Sequence, residues 1–259
     1  MCIVQGSLND MLMQWISSTD FPAQQSDLIN RKQEGTGSWF LTAPEFFEWQ
    51  TGSKKTLFCP GMPGAGKTMM AAIVIDHLQK TVQSDTVGVA YIYCNYKSQT
   101  HQNANNLLAA ILKQLVQARP SVMEPVSNLY YEYSHSMTKP SLEETLSALY
   151  AVIDSYSTVF IVIDALDECS AHDGFRTQLL AKIRELQRDA DLRIMVTSRL
   201  VGEIENYFWQ ALILEIRAND LDVERFVEGK IGQLPECIRE DGELQRSVKT
   251  TIVQAVNGM

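Results

Sequence analysis

Eight consecutive residues in the first third of the sequence have the types and the spacing of a phosphate-binding loop. They match the pattern G-x-x-x-x-G-K-[ST] at every fixed position and read Gly61-Met62-Pro63-Gly64-Ala65-Gly66-Lys67-Thr68. Small residues let successive backbone N–H groups curl around a phosphate without side-chain clashes. Lys67 would add a positive charge for the β- and γ-phosphates, and Thr68 a hydroxyl for Mg²⁺. The alternative is a glycine-rich turn that holds no ligand.

Three acidic residues follow an apolar segment later in the chain. Residues 159–163 are all apolar and lead into Asp164, with Asp167 and Glu168 close behind. Asp164 would hold Mg²⁺, through water, opposite Thr68. Asp167 or Glu168 would then orient or deprotonate an attacking water. An acidic cluster after a strand can also be a solvated turn, but the phosphate loop earlier in the chain favours the catalytic interpretation.

A third segment, residues 193–199, ends in polar residues after an apolar run. If it is a strand of the same sheet, its end lies beside the phosphates. Thr197, Ser198 or Arg199 would then sense the γ-phosphate. Arg199 has a second interpretation, an ion pair with a surface carboxylate.

The hydrophobic pattern indicates the elements that must position these residues. Strands are predicted at 56–59, 86–94, 158–163, 192–197 and 212–216. Helices are predicted at 68–79, 103–117, 121–133, 141–155 and 175–188, with a capping box at Ser141 and Glu144. Such alternation predicts an α/β fold with a mostly parallel sheet covered on both faces. We expect the strand at 86–94 in that sheet, and an extra strand between those that carry the two Walker motifs.

The flanking regions divide the chain into three predicted parts. Residues 1–53 are a helical or linker segment, 54–217 the nucleotide-binding core, and 218–259 the start of a helical domain. In the first part an amphipathic helix is expected, with its apolar residues at helical spacing: Leu8, Leu12, Trp15 and Ile16. Gly35 and Gly37 predict a turn, and Pro44 the start of another helix. The aromatic residues of that helix are expected in the core: Phe46, Phe47 and Trp49.

Composition excludes several classes of function. With 22 basic and 31 acidic residues the net charge is −9, which argues against a general nucleic-acid-binding surface. The five cysteines have no metal-ligand spacing, so neither a zinc site nor a disulfide framework is predicted, and reduced thiols in a cytoplasmic protein are expected. The N-terminus has no basic signal-peptide region, and no apolar run could span a membrane. The four histidines share no ligand spacing: His77, His101, His135 and His172.

Together the motifs resemble those of NACHT-type P-loop NTPases. They are most similar to those of fungal NOD-like receptors and nephrocystin-like proteins, which often precede ankyrin or WD repeats. The resemblance covers roughly residues 14–259 and is carried by four stretches: 33–40, 59–68, 163–169 and 194–199. It implies a three-layer P-loop domain, a Mg²⁺ ion, and a switch that ADP keeps closed and ATP or GTP opens for self-association. The implied role is signal transduction in innate-immunity-like recognition or programmed cell death.

The resemblance also implies further domains after Met259, so this sequence is expected to be a fragment or a truncated product. Three hypotheses follow. The first is an NTPase switch that binds Mg-ATP or Mg-GTP and hydrolyses it slowly. The second is a non-catalytic interaction module that binds nucleotide only to fold, or not at all. The third, a small-molecule kinase, is weaker because no lid or acceptor pocket is evident. No base-reading motif distinguishes adenine from guanine, although residues 35–39 are a candidate wall of the base pocket.

Overall fold

The computed structural model describes residues 2–82, 84–98, 103–133, 138–170 and 174–256. Three of the four histidines (His101, His135 and His172) and the side chain of Leu8 lie outside the described residues. Within the described part, no three His, Cys, Asp or Glu residues form a group that could hold a metal ion. Every helix in those ranges is too short or too polar to cross a lipid bilayer.

Five strands in the described residues form one parallel sheet. They are β1 (Thr56–Pro60), β2 (Val87–Tyr93), β3 (Thr158–Asp164), β4 (Leu192–Ser198) and β5 (Leu212–Ile213). Their order across the sheet is β2-β3-β4-β1-β5, and every pair is parallel. The predicted α/β class and mostly parallel sheet are therefore confirmed. The strand that separates β1 from β3 is β4, while β2 lies at the far edge beside β3.

Helices cover the sheet on both faces, and most residues of β1, β2, β3 and β4 are therefore buried. The helices bounded within the described residues are α1 (Cys2–Ile16), α2 (Phe21–Asn30), α3 (Ser38–Leu41), α4 (Pro44–Thr51), α5 (Lys67–Thr81), α6 (Ala104–Ala118), α7 (Glu124–Tyr133), α8 (Leu142–Asp154), α9 (Phe175–Asp189), α10 (Gly202–Tyr207), α11 (Asp220–Lys230), α12 (Glu236–Arg239) and α13 (Gly242–Val256). Helix α5 packs on β2, β3 and β4, with α2 against it. Helices α6, α8 and α9 form another group, in which α8 and α9 both pack on α6. Within this group, α6 contacts β2 and α9 contacts β4.

The helix ends follow the capping residues in the sequence. The Asn103 side chain accepts a hydrogen bond from the backbone N–H of Asn106 and begins α6. The Ser141 hydroxyl and the Glu144 carboxylate form the predicted capping box at the start of α8. These caps satisfy N–H groups that have no partner within the helix.

Helix α4 carries the aromatic residues expected in the core, and one of them is exposed instead. Phe46 and Trp49 are buried, whereas Phe47 is 65% exposed. Positions 46 and 49 are three residues apart and share one helix face, so position 47 points away from it. The prediction that Phe47 lies in the core was therefore wrong. It rested on the aromatic composition of the segment, whereas helical periodicity decides which side chains face the core.

The last strand is shorter than predicted, since β5 spans Leu212–Ile213 rather than 212–216. Backbone pairing with β1 nonetheless continues, through bonds from Leu214 N to Phe58 O (3.0 Å) and from Ile216 N to Pro60 O (2.7 Å). Helices α11, α12 and α13 follow and pack on one another. Residues 219–256 are thus largely helical, in agreement with the sequence pattern.

Candidate functional site

The phosphate loop joins the end of β1 to the start of α5, the context that its sequence requires. Gly64 and Gly66 have φ angles of +83° and +90°, in the left-handed region that favours glycine. A Cβ atom at either position would meet no atom within 4 Å, so the backbone conformation rather than crowding requires glycine there. Helix α5 begins at Lys67, and its free N–H groups and positive end face the loop.

Gly61 is required for a different reason, close approach of another chain segment. A Cβ atom here would lie 2.4 Å from the backbone oxygen of Ile216. Gly61 N also donates to Ser198 O at 3.1 Å, so the start of the loop is held between β4 and the segment after β5. The loop is therefore anchored on both sides by backbone atoms.

Replacing Gly61 by alanine is expected to lower the free energy of unfolding by about 2 kcal/mol, because backbone atoms must shift to admit the methyl group. Urea denaturation followed by circular dichroism measures the change. Gly202→Ala is the matched control, since a Cβ atom at Gly202 would meet nothing within 4 Å. Equal stability of the two variants would contradict the anchoring role of Gly61.

Lys67 lies half-buried at the centre of the loop. Its Nζ donates to the carbonyl oxygens of Gly61 (2.9 Å) and Met62 (2.8 Å). Burial lowers the pKa of Lys67 from its ordinary value, while the nearby Asp167, Asp164 and Glu168 carboxylates oppose that shift. The ammonium group is thus held inside the loop, where it can reach a bound phosphate.

Asp164, Thr68 and Thr197 come together at the ends of β3 and β4 and the start of α5. Asp164 is 2% exposed, and its Oδ1 accepts a hydrogen bond from the Thr197 hydroxyl at 2.6 Å. Burial raises the pKa of the Asp164 carboxyl, and hydrogen bonds from Thr197 and Thr68 act in the opposite direction. Carboxylate and hydroxyl oxygens are the ligands that Mg²⁺ prefers. The Thr68–Asp164 pair therefore fits a magnesium ion.

Thr197, one of the three predicted phosphate-sensing residues, contacts the end of β3. Besides its bond to Asp164, its Oγ1 accepts from the backbone N–H of Ala165 at 2.9 Å. Both interactions fix the end of β3, so Thr197 positions the Asp164 carboxylate. The Ser198 hydroxyl donates to the backbone oxygen of Arg199 at 2.8 Å.

Ala165 turns the chain after β3 in a conformation that is unusual for a residue other than glycine. Its φ and ψ angles are 54° and 49°, in the left-handed region. A short 3₁₀ turn over Leu166–Glu168 follows, with a hydrogen bond from Glu168 N to Ala165 O (2.8 Å). The turn brings Asp167 and Glu168 to the same sheet edge as the phosphate loop.

Arg199 forms an ion pair with Asp167, a largely buried carboxylate of the candidate site rather than a surface one. Its Nε lies 3.0 Å from Oδ2 of Asp167, and its backbone N–H donates to Oδ1 of Asp167 at 3.0 Å. Oε1 of Glu168 is 4.0 Å from the Arg199 guanidinium, and Oε2 of Glu168 accepts from Tyr96 N at 3.2 Å. Arg199 engages both oxygens of Asp167, whose side chain is 9% exposed, whereas the Glu168 side chain is 25% exposed and is therefore more accessible to water.

A cavity of about 440 Å³ adjoins the loop, between residues 31–39, the start of α5 and the C-terminal helices. Nine of the eighteen described lining residues have apolar side chains, the largest of them Trp39, Met69, Met70, Ile73, Phe226 and Ile252, and six are polar or charged. Residues 35–39 were the candidate wall of a base pocket, and Thr36, Gly37 and Trp39 do line this cavity. The cavity has the position and the volume for the nucleoside part of a nucleotide.

Asp222 of α11 closes one side of the cavity and was not predicted from the sequence. Its Oδ2 accepts from Gly37 N (2.8 Å) and from Nε1 of Trp39 (3.2 Å). Arg225, one turn later, donates to Gly35 O at 2.5 Å. No local pattern could have revealed this, because Asp222 lies 185 residues from Gly37 and its helix contains several other acidic residues.

Comparison with known proteins places this arrangement in a family. The family model described as "Nephrocystin 3, N-terminal" matches residues 35–199, from the loop before α3 to the end of β4. The chain belongs to the nephrocystin 3 N-terminal family. The predicted resemblance to NACHT-type, nephrocystin-like domains is thereby confirmed, and the matched residues include the phosphate loop and the acidic turn.

The chain is also similar to the vegetative incompatibility protein HET-E-1 of Podospora anserina. The two are 26% identical over 233 residues, which cover 85% of this chain and 17% of HET-E-1. The chain thus spans less than a fifth of the length of that relative.

Solved structures with a similar outline include a Walker-type ATPase of Pyrococcus abyssi, at a TM-score of 0.47 and 14% identity. That alignment covers 79% of this chain and 60% of the ATPase. The Orc1 protein of Aeropyrum pernix, solved in complex with DNA, has a TM-score of 0.46 and 18% identity, with 74% of this chain and 48% of Orc1 covered.

Proposed function

We propose that this chain is the nucleotide switch module of a NOD-like signalling receptor, which binds Mg-ATP or Mg-GTP and hydrolyses it slowly. One observation carries the proposal: the phosphate loop, the Thr68–Asp164 pair and Glu168 meet at the carboxyl ends of β1, β3 and β4. In parallel α/β sheets, ligands bind at that edge. A structural turn would not require a lysine, a buried aspartate and a second carboxylate at one point.

Each group has a distinct role in this proposal. The amides of Gly61, Met62, Pro63, Gly64, Ala65 and Gly66 form the phosphate loop, to which proline contributes no N–H. Lys67 neutralises charge on the β- and γ-phosphates. Thr68 and Asp164 would hold Mg²⁺, which supplies positive charge to the phosphate oxygens. Glu168 orients and deprotonates the attacking water, and Asp167 holds Arg199 near the phosphates.

The whole-receptor part of the proposal rests on family membership. In the full-length protein, self-association through this domain would follow exchange of ADP for the triphosphate, within a cytoplasmic signalling pathway. Nucleic acid is not a proposed partner, because the net charge is −9.

Calorimetric titration of the chain with ADP, ATP and GTP, each with Mg²⁺, tests binding, and phosphate release tests turnover. Micromolar binding with slow release is the expected result. Binding without any phosphate release would instead support the non-catalytic interaction module. Absence of binding to all three nucleotides would contradict the proposal.

We propose that adenine is the preferred base. Guanine presents two adjacent donors, N1–H and the 2-amino group, which one carboxylate can accept together, whereas adenine presents only its 6-amino group. Asp222 is the one carboxylate among the described residues that line this cavity, and its Oδ2 already accepts two hydrogen bonds. Leaving donors unpaired in this cavity costs binding energy. We therefore expect ATP to bind about 10-fold more tightly than GTP, a difference of about 1.4 kcal/mol. Titration with ITP, which keeps N1–H but lacks the 2-amino group, separates the contributions of these two donors to the affinity. Equal affinity for ATP and GTP would contradict the preference.

A further inference from the structure

Two cysteines that are far apart in the sequence lie side by side next to the acidic turn. The sulfur atoms of Cys94 and Cys169 are 2.6 Å apart, although 75 residues separate them in the chain. Cys94 directly follows β2, and its backbone N–H donates to Asp164 O at 3.0 Å. Cys169 ends the turn that carries Glu168. The parallel register of β2 and β3 thus brings the two thiols together, and spacing along the sequence gives no sign of it.

We propose that Cys94 and Cys169 form a modification site, at which hydrogen peroxide oxidises the two thiols to an intrachain disulfide. Disulfide formation requires two cysteines whose side chains already point at each other. Here the sulfur atoms are in direct contact, so the bond can form with little movement of the backbone. The proposed modification therefore requires both cysteines.

The reaction proceeds in two balanced steps. One thiolate attacks an oxygen of hydrogen peroxide, the O–O bond breaks, and a sulfenic acid and hydroxide are formed. The second thiolate attacks the sulfenyl sulfur, the S–S bond forms, and a second hydroxide leaves. With the two thiol protons, the hydroxides become two water molecules. The two sulfurs are oxidised by two electrons, and peroxide is reduced by two.

The surroundings of the pair determine its rate and its selectivity. Both cysteines are buried, and the exposed residues Asn95 and Tyr96 directly follow Cys94. Because both sulfur atoms are buried, only a small oxidant can reach them. Once a sulfenic acid forms, the neighbouring thiol captures it before further oxidation, since the two sulfur atoms are already in contact.

A disulfide here would constrain the carboxylate to which we assign water activation, an effect that rests on the proposed function. Glu168 directly precedes Cys169, and its Oε2 accepts a hydrogen bond from Tyr96 N, two residues after Cys94. The bond would tie together the two segments that meet at Glu168. We expect turnover of Mg-ATP to fall several-fold on oxidation and to recover with dithiothreitol.

Peptide mapping of the intact chain tests the modification independently of any nucleotide. The protein is treated with millimolar hydrogen peroxide, blocked with N-ethylmaleimide in denaturant and digested without reductant. The expected product is a Cys94–Cys169 linked peptide, two mass units lighter than the sum of the two reduced peptides. Cys94 and Cys169 alkylated as free thiols, in a sample where the exposed Cys237 has been oxidised, would overturn the proposal.

Two variants test whether this disulfide causes the loss of turnover. Cys94→Ser should keep its turnover under peroxide, whereas Cys237→Ser, the matched control, should lose turnover as the wild type does. Wild-type mapping needs no variant, so poor folding of Cys94→Ser leaves the modification test intact. If the linked peptide forms but neither reduced nor oxidised protein hydrolyses nucleotide, the modification stands and the proposed hydrolysis fails. If the linked peptide forms and turnover is unchanged, the effect on Glu168 is refuted.

Discussion

Replacing Lys67 by alanine should weaken the binding of Mg-ATP about 100-fold, which corresponds to about 2.7 kcal/mol. The ammonium group lies inside the phosphate loop, bonded to Gly61 O and Met62 O, at the point where the β- and γ-phosphates would sit. Hydrogen bonds between charged groups contribute about 1.5–3 kcal/mol each. Alanine removes the charge and the donors together and leaves the loop glycines in place. Calorimetric titration measures the change.

Lys80 offers a matched control on the same helix. Its Nζ is 2.8 Å from Asp76, four residues earlier, and the pair is on the surface of α5 away from the loop. Lys80→Ala removes the same side chain and charge, and we expect the affinity for Mg-ATP to remain within about twofold. Equal affinities of Lys67→Ala and Lys80→Ala would remove the basis for a phosphate site.

Glu168→Gln should lower turnover of Mg-ATP about 100-fold while changing nucleotide affinity little. A positioned general base contributes 10²–10⁴ in rate, and glutamine keeps the size of glutamate while losing its basicity. The amide can still accept the hydrogen bond from Tyr96 N that holds the side chain. Phosphate release at saturating Mg-ATP measures turnover, and a titration of the variant measures affinity.

Comparing Asp167→Asn with Glu168→Gln distinguishes the roles of the two carboxylates in turnover. Asp167 pairs with Arg199 through both oxygens, so its loss should free the guanidinium and reduce turnover less than Glu168→Gln does. The opposite order, with Asp167→Asn the slower enzyme, would show that Asp167 acts on water and that Glu168 has a supporting role.

Elements with a strong local pattern could be predicted from the sequence, whereas those set by tertiary contacts could not. The phosphate loop and the apolar strand before Asp164 carry their own residue patterns, which predicted their type and their bounds, whereas the strand order comes from the structure. The end of β5 was overestimated, because an apolar run of five residues does not show where regular pairing stops. Helix α3 is only four residues long and follows the predicted turn, so no periodicity could reveal it.

The same division holds within the candidate site. The predicted metal pair, Thr68 and Asp164, is brought into contact, and Thr197 bonds to Asp164, a contact that the sequence did not indicate. The choice between a sensing and a pairing role for Arg199 depended on where the side chain of Asp167 points, which only the fold decides. The contact of Asp222 with the loop at 35–39 joins distant parts of the chain, and no local sequence pattern indicates it.

The position of β1 in the sheet has a consequence for synthesis on the ribosome. Both neighbours of β1 come late in the chain, β4 at Leu192 and β5 at Leu212, more than 130 residues after Pro60. At translation rates of about 5–20 residues per second, β1 waits roughly ten seconds for its first partner. During that time its buried side chains, Leu57 and Phe58 among them, have no sheet to join. A nascent chain therefore exposes an aggregation-prone segment until β4 emerges, and chaperones that bind apolar strands should associate with ribosomes translating this interval.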